Sequence, residues 1–168
     1  MHRYLNGPAV MGWWFSAGHG EMEAKNNHGT CWTMQVAAFA SFTQNEEMLR
    51  FCRERYRSVL LPNQMAADGS FPLELTTLCH LLTTPEENLW DYTTTDGRNI
   101  EKGISWLFPF VKDKGSWQRQ PDIMFWEEWP VAHPFLLFGS LHHYRKEYFQ
   151  TWKQLEHFPT NEEVIRNL

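Results

Sequence analysis

The stretch EAKNNHGTCW, from Glu23 to Trp32, joins a polar segment to a region with a helical pattern. From Cys31 to Thr43 the apolar residues recur at steps of three and four, at Trp32, Val36, Phe39 and Ala40. This spacing places them on one face of a helix, so the sequence predicts a helix here. Two asparagines, a histidine and a glycine stand just before it, where the helix would begin.

A second helix is predicted from Glu46 to Leu61. Its apolar residues again form one stripe, and the opposite face carries acidic and basic residues spaced to pair across helical turns. Pro62 is expected to end this helix, because proline has no N–H to donate. The short polar turn around Gln44 and Asn45 therefore predicts an αα-hairpin.

The rest of the chain continues in the same way. Helical patterns run through PLELTTLCHLL, from Ile100 to Val111 and from Phe135 to Trp152. The capping boxes Thr84–Glu87 and Thr160–Glu163 predict two more helix starts. Since no substantial stretch alternates in the manner of a strand, we predict one all-α domain, residues 1–168, built from antiparallel helical hairpins. Such hairpins stack as a bundle, a solenoid or a closed toroid, and periodicity does not choose among these.

Composition narrows the choice of partners. The chain has 168 residues, with 15 basic and 20 acidic side chains and a net charge of −5. This balance argues against nucleic acid, which attracts clustered Lys and Arg. The sequence contains neither a membrane span nor the continuous apolar run of a signal peptide, so the protein is cytosolic or its natural start lies upstream. The scattered Cys31, Cys52 and Cys79 are expected to be buried free thiols.

Asn27 and His28 offer two interpretations. Asparagine is a favoured helix cap, and from local physics alone this structural role is the commoner one. An amide and an imidazole at a helix N-terminus also present several N–H donors beside a partial positive charge, which suits an anion such as a sugar carboxylate. Neutralising that carboxylate would acidify the proton on the adjacent carbon and permit β-elimination of a 4-linked sugar.

The ordered blocks KNNHGTCW, QVAAFA, DGSFPLEL and LWDYTTTDGRNIEKGISWLFPF resemble the alginate lyase domain family of polysaccharide lyases. The resemblance runs from about Trp14 almost to Leu168. It implies an incomplete (α/α) toroid and eliminative cleavage of uronate polysaccharides such as alginate or glucuronan. Asn27 and His28 match the family's catalytic pair that neutralises the uronate carboxylate, and the histidine can also act as a base toward some substrate epimers. The family is mostly periplasmic or secreted.

The sequence departs from the family pattern just after Leu75. The family's catalytic arginine and tyrosine normally follow the PLEL block, but here Leu75 leads straight into TTLCHLL. The chain is therefore interpreted as a shortened or fragmentary member. The alternative to a polysaccharide lyase is a non-catalytic carbohydrate-binding or vestigial module on the same scaffold.

Other residues are candidates for substrate binding. Asn26 adjoins the pair, and Trp32, one turn on, could stack on a sugar ring, although its place in the apolar stripe favours the core. Trp126 and Trp129 flank two glutamates in a proline-bounded loop that suits a sugar-binding wall or a loop plug. His133, His142 and His143 lack the spacing of a metal site and are expected to be surface or packed residues. No metal or cofactor is expected, and the oligomeric state is open.

Overall fold

The computed structural model describes residues 20–70, 74–116 and 134–155. The described elements are helical, and no strand occurs among them. They are α1 Asn27–Phe42, α2 Glu46–Arg55, a π-helical turn Tyr56–Leu60, α3 Leu61–Gln64, α4 Glu74–Leu82, a 3-10 turn Leu89–Asp91, α5 Ile100–Lys112, a 3-10 turn Lys114–Ser116, α6 Phe135–His143 and α7 Lys146–Gln154. No helix within these ranges is long and apolar enough to cross a membrane.

The predicted hairpin of α1 and α2 is confirmed. Thr43 ends α1, Gln44 takes a left-handed conformation with φ 53°, and Asn45 caps α2 by accepting a hydrogen bond from the Met48 N–H at 3.1 Å. An asparagine cap satisfies one of the N–H groups that a helix start leaves without a partner. This local chemistry turns the chain back within three residues.

The core lies between the helices that the sequence pattern predicted. α1 packs on α2 and α4, and α6 packs on α4, α5 and α7. The apolar stripes of α4 and α5 are buried as expected, at Leu75, Leu78, Cys79, Leu82, Ile100, Ile104, Leu107 and Val111. Cys52 is also buried, but Cys31 is exposed, so the prediction that all three thiols are buried is wrong for Cys31. Periodicity misplaced it because it lies on the outer face of the first turns of α1.

Pro62 does not end the second helix, and that prediction is wrong. The chain passes through the π-helical turn, in which the Leu61 N–H bonds to the Tyr56 carbonyl, and remains helical to Gln64. Pro62 lies at the start of α3, where its missing N–H is tolerated. The extra helical turn matters because it carries Gln64 to the start of α1.

The predicted helix start at Thr84 is also wrong. Thr84 does cap a turn, since its hydroxyl accepts a hydrogen bond from the Glu87 N–H at 3.1 Å. Glu87 does not close the capping box, however, because its carboxylate pairs with Arg57 and Arg53 on the preceding helices. The chain then bends, and a 3-10 turn at Leu89–Asp91 takes the place of the predicted helix.

The helix predicted from Phe135 to Trp152 is divided in two. Tyr144 adopts a left-handed conformation, with φ 53°, and separates α6 from α7. Arg145, beside the break, forms an ion pair with Glu101 of α5 at 2.6 Å. Two helices that pack on each other replace the single predicted one. The second capping box, Thr160–Glu163, lies outside the described residues.

Candidate functional site at the start of α1

Asn26 is the cap of α1. Its side-chain oxygen accepts a hydrogen bond from the His28 N–H at 3.1 Å, and its backbone carbonyl accepts one from the Thr30 N–H at 3.2 Å. The structural role that the sequence allowed for an asparagine here therefore falls to Asn26. Its carbonyl side-chain oxygen is committed to the helix, which leaves its amide nitrogen as the group able to face a ligand.

Asn27 and His28 remain exposed. Within the described residues, neither side chain has a hydrogen-bond partner. The first turn of α1 also contains no acidic residue that would neutralise the positive end of the helix. An amide, an imidazole and a helix N-terminus thus lie together at the surface, an arrangement that can donate hydrogen bonds to an anion.

Gln64 forms hydrogen bonds with the start of α1, a role that the apolar periodicity of the sequence did not reveal. Its Nε2 donates to the Asn26 carbonyl at 2.9 Å and lies 2.9 Å from the Thr30 hydroxyl. The same hydroxyl lies 3.1 Å from Gln64 Oε1. Thr30 is fully buried, so Gln64 is also the group that satisfies a buried hydroxyl.

Arg55 also links the start of α1 to the segment that precedes it. Its Nη2 donates to the Ala24 carbonyl at 2.7 Å, and its Nε donates to the Thr33 hydroxyl at 3.1 Å. Thr33 in turn donates to the Gly29 carbonyl at 2.7 Å. Burial lowers the pKa of the Arg55 guanidinium. The arginine is used inside the protein and therefore does not replace the family's missing arginine.

Gly29 allows the segment before α1 to lie against the helix. A Cβ atom at this position would be 2.0 Å from the Ala24 carbonyl oxygen and 3.1 Å from Arg55 Nη2. The first distance is far below any van der Waals contact, and the atom concerned belongs to the backbone. The glycine of the NNHG block is therefore required by close approach of two chain segments.

Trp32 lies in the core, with 5% of its surface exposed. Its ring packs edge to face with Phe51 at 6.3 Å, and the Arg55 guanidinium lies 5.8 Å from its centroid. A ring buried in this way cannot offer a face to a sugar, so the expectation of stacking is corrected in favour of the core. Trp126 and Trp129 lie outside the described residues.

His142 and His143 are packed residues, and sequence reasoning missed their partner His80. The His80 Nδ1 and His142 Nε2 atoms are 3.0 Å apart, His142 stacks on Trp90 at 4.4 Å, and His143 Nε2 lies 3.2 Å from Glu101 Oε2. Within the described ranges, no group of three or more His, Cys, Asp or Glu side chains could hold a metal ion. His133 lies outside those ranges.

Two comparisons with known proteins identify relatives of this chain. The family model described as alginate lyase matches residues 9–77 and 74–117. A crystal structure of an alginate lyase from Bacteroides ovatus superimposes with a TM-score of 0.67 at 20% sequence identity, over 85% of this chain and 45% of that chain. The chain thus spans less than half of that protein. A comparison with curated proteins gave no match.

Because the sequence identity is low, the structural match shows the fold alone. The helical hairpins described above form an all-α, incomplete (α/α) toroid of the alginate lyase type. The family model covers well over half of the chain, including the whole NNHG block and the DGSFPLEL block. The chain therefore belongs to the alginate lyase family.

Proposed function

We propose that this chain is a polysaccharide lyase-type domain that acts on a 4-linked uronate polymer of the alginate or glucuronan class. In this proposal Asn27 and His28 donate hydrogen bonds to the uronate carboxylate. The observation that carries it is the exposure of both side chains, without partners among the described residues, at a helix N-terminus whose first turn contains no acidic residue. Membership of the alginate lyase family supports the choice of substrate class.

The chemistry follows from charge neutralisation. Hydrogen bonds to the carboxylate stabilise the enolate that forms when a base removes the proton from the adjacent carbon. The electron pair then forms a carbon–carbon double bond, the bond to the 4-linked oxygen breaks, and that oxygen takes up a proton from water. Bonds that strengthen as the enolate forms accelerate the reaction, whereas equal binding of the ground state does not. His28 is the residue here that could remove the proton.

The competing proposal is a module that binds the polysaccharide without cleaving it. It is favoured by the missing arginine and tyrosine after Leu75. Two observations fit a loss at this point: the family match falls into two pieces that overlap at residues 74–77, and α4 runs unbroken from Glu74 to Leu82. General acid–base assistance typically contributes about 10²–10⁴ in rate, so its loss would leave binding with little turnover.

Nor do the described tyrosines supply an obvious substitute. Tyr92 is partly buried, and the Arg57 guanidinium lies 5.6 Å from the centre of its ring. Tyr56 and Tyr148 are in the core, and Tyr144 is exposed at the break between α6 and α7. Among the described residues, the lyase proposal therefore assigns removal of the proton to His28.

The test measures binding and cleavage separately. Calorimetric titration with alginate and glucuronan oligosaccharides gives affinity, and the ultraviolet absorbance of the unsaturated product gives turnover. The lyase proposal expects both in the wild type and a loss of both in Asn27→Ala and His28→Ala. Gln35→Ala, at an exposed position on the same helix, serves as the matched control and should behave as the wild type.

The outcomes separate the two proposals. Binding without absorbance change supports the non-catalytic module, and reinsertion of the missing arginine–tyrosine segment after Leu75 should then restore cleavage. If neither polymer binds, both proposals fail. Unchanged affinity in Asn27→Ala and His28→Ala would exclude these residues from the site. We further propose, from the family alone, that the domain acts in the periplasm or outside the cell.

A further inference from the structure

Gln64 joins two parts of the chain that are 38 residues apart, the end of α3 and the residue that caps α1. It places an N–H donor on the Asn26 carbonyl at 2.9 Å, and this carbonyl also accepts from the Thr30 N–H. Both amide atoms of Gln64 lie within hydrogen-bond distance of the buried Thr30 hydroxyl. The contact is therefore a fixed, multiply bonded one rather than a chance encounter of surface side chains.

The position of Gln64 depends on the irregular end of the second helix. The π-helical turn Tyr56–Leu60 and the passage through Pro62 extend the helix by α3, whose final residue is Gln64. Arg98 holds this end by donating to the carbonyls of Pro62 and Met65, the latter at 2.9 Å. α3 is consequently tied to a later segment of the chain and provides a rigid base for the glutamine.

Neighbouring side chains on a helix diverge by about 100°, because one turn contains about 3.6 residues. Asn27 and His28 can therefore reach one carboxylate together only if the backbone of the first turn is held in a single conformation. Helix ends fray when nothing holds them. Asn26 caps the turn from within, and Gln64 fixes the carbonyl of that cap from outside.

We propose that Gln64 is a positioning residue for the Asn27–His28 pair, acting through the Asn26 carbonyl and Thr30. This inference rests on the proposed binding of a uronate carboxylate by that pair. Gln64 does not touch the substrate in this proposal; it sets the direction of the two donors that do. Small displacements of such groups are costly, since loss of correct geometry weakens every bond that depends on it.

The test compares Gln64→Met with Gln35→Met. Methionine preserves the length of the side chain and removes both polar atoms. Gln35 is exposed on α1, so the same substitution there serves as a control away from the start of the helix. Two quantities are measured by NMR and calorimetry: the hydrogen exchange of the His28 and Thr30 amides, and the affinity for an alginate oligosaccharide. Exchange at Val36 and Ala37 reports on the rest of the helix.

Gln64→Met should raise exchange at His28 and Thr30 by about fivefold or more while Val36 and Ala37 stay unchanged. It should weaken oligosaccharide binding by about tenfold, whereas Gln35→Met should stay within about twofold of the wild type. Gln64→Glu is the second variant, used if the methionine variant does not fold. It keeps an acceptor for Thr30 but has no donor for the Asn26 carbonyl, so the same local changes are expected.

The two readouts fail differently. If the wild type binds and the Gln64 variants bind equally well, the positioning role is overturned. If exchange rises equally along all of α1, Gln64 is a general stabilising residue and the proposal is also overturned. If the wild type binds no uronate oligosaccharide, the proposed function fails, and the exchange at His28 and Thr30 still decides whether Gln64 holds the helix start.

Discussion

At the residue scale, two adjacent asparagines have different surroundings. Asn26 contributes its side-chain oxygen to the helix, whereas Asn27 keeps its amide free of partners in the described structure. A cap and a ligand-binding amide are therefore not competing explanations of the same residue. In the proposed site, Asn26 caps the helix and Asn27 directs its amide to the ligand.

Asn26→Asp should separate capping from binding. Aspartate caps a helix about as well as asparagine, so the free energy of unfolding should change by less than about 0.5 kcal/mol. Its negative charge would oppose a uronate carboxylate at the same helix end, and affinity should fall by about tenfold at low salt. Titration calorimetry and urea unfolding measure the two effects. Asn45→Asp, at the equivalent cap of α2, is the control, and equal affinities for the two variants would contradict the prediction.

Gly29→Ala should be strongly destabilising even though alanine favours helices. The new methyl group would lie 2.0 Å from the Ala24 carbonyl oxygen, so the backbone of one segment must move. We expect a loss of about 2–3 kcal/mol in urea unfolding. The control is Gly20→Ala, where a Cβ atom would meet nothing within 4 Å. A Gly29 variant as stable as the Gly20 variant would show that the Ala24 backbone can move away from α1 at little cost in stability.

At the scale of the elements, the segment after α4 shows a local signal overruled by a tertiary contact. The Thr84–Glu87 sequence has the composition of a helix start, but the Glu87 carboxylate pairs with Arg57 and lies 3.5 Å from Arg53 Nε. Arg53 is itself buried and donates to the Leu82 carbonyl at 3.1 Å. Glu87 therefore attaches this segment to α2 and the π-helical turn.

Glu87→Ala should destabilise the fold by about 1–2 kcal/mol, between the value of a surface ion pair and that of a buried one. The physical reason is that Arg53 and Arg57 would lose the carboxylate that faces them. Glu86→Ala is the matched control, because Glu86 is the exposed neighbour. Urea unfolding of both variants tests the prediction, and equal stability would mean that the ion pairs add nothing measurable.

At the scale of the whole molecule, a histidine cluster lies where four elements meet. His80 belongs to α4, His142 and His143 to α6, and they contact Trp90 of the 3-10 turn and Glu101 of α5. Asp91 and Arg145 are the other charged groups that act on the cluster. Burial lowers the pKa of all three imidazoles, and that of His142 falls from its ordinary value of 6.5 to about 4, with His80 and His143 adding to the effect.

Stability should therefore fall as pH falls from about 6.5 toward about 4. In this window the unfolded chain takes up protons that the folded cluster resists, so acid favours unfolding. For His142 we expect a loss on the order of 1 kcal/mol between about pH 7 and about pH 5, less than the full shift implies because the side chain is partly solvated. Urea midpoints at the two pH values measure it. His142→Gln should reduce the pH dependence, and an unchanged dependence would place its origin elsewhere.

The sequence determined the helices that bury a regular stripe. α1, α2, α4 and α5 were predictable because apolar residues at steps of three and four can be hidden only by a helix packed on that face. The NNHG block and the order of the surrounding blocks also led to the family without any structure. The pair Asn27–His28 became a candidate by the same means, since its residue types and its place at a helix start are local features.

Only the tertiary structure decided which side chains support the candidate site. Gln64, Arg55 and His80 carry no periodic or motif signal; each acts through a contact with a residue that is distant in sequence. The passage through Pro62 and the break at Tyr144 were likewise missed, because long-range bonds from Arg98 and Arg145 accompany those irregular segments. The spacing of apolar residues indicates which face of a segment is buried. The partners of a polar group are determined only when segments that are distant in sequence pack together.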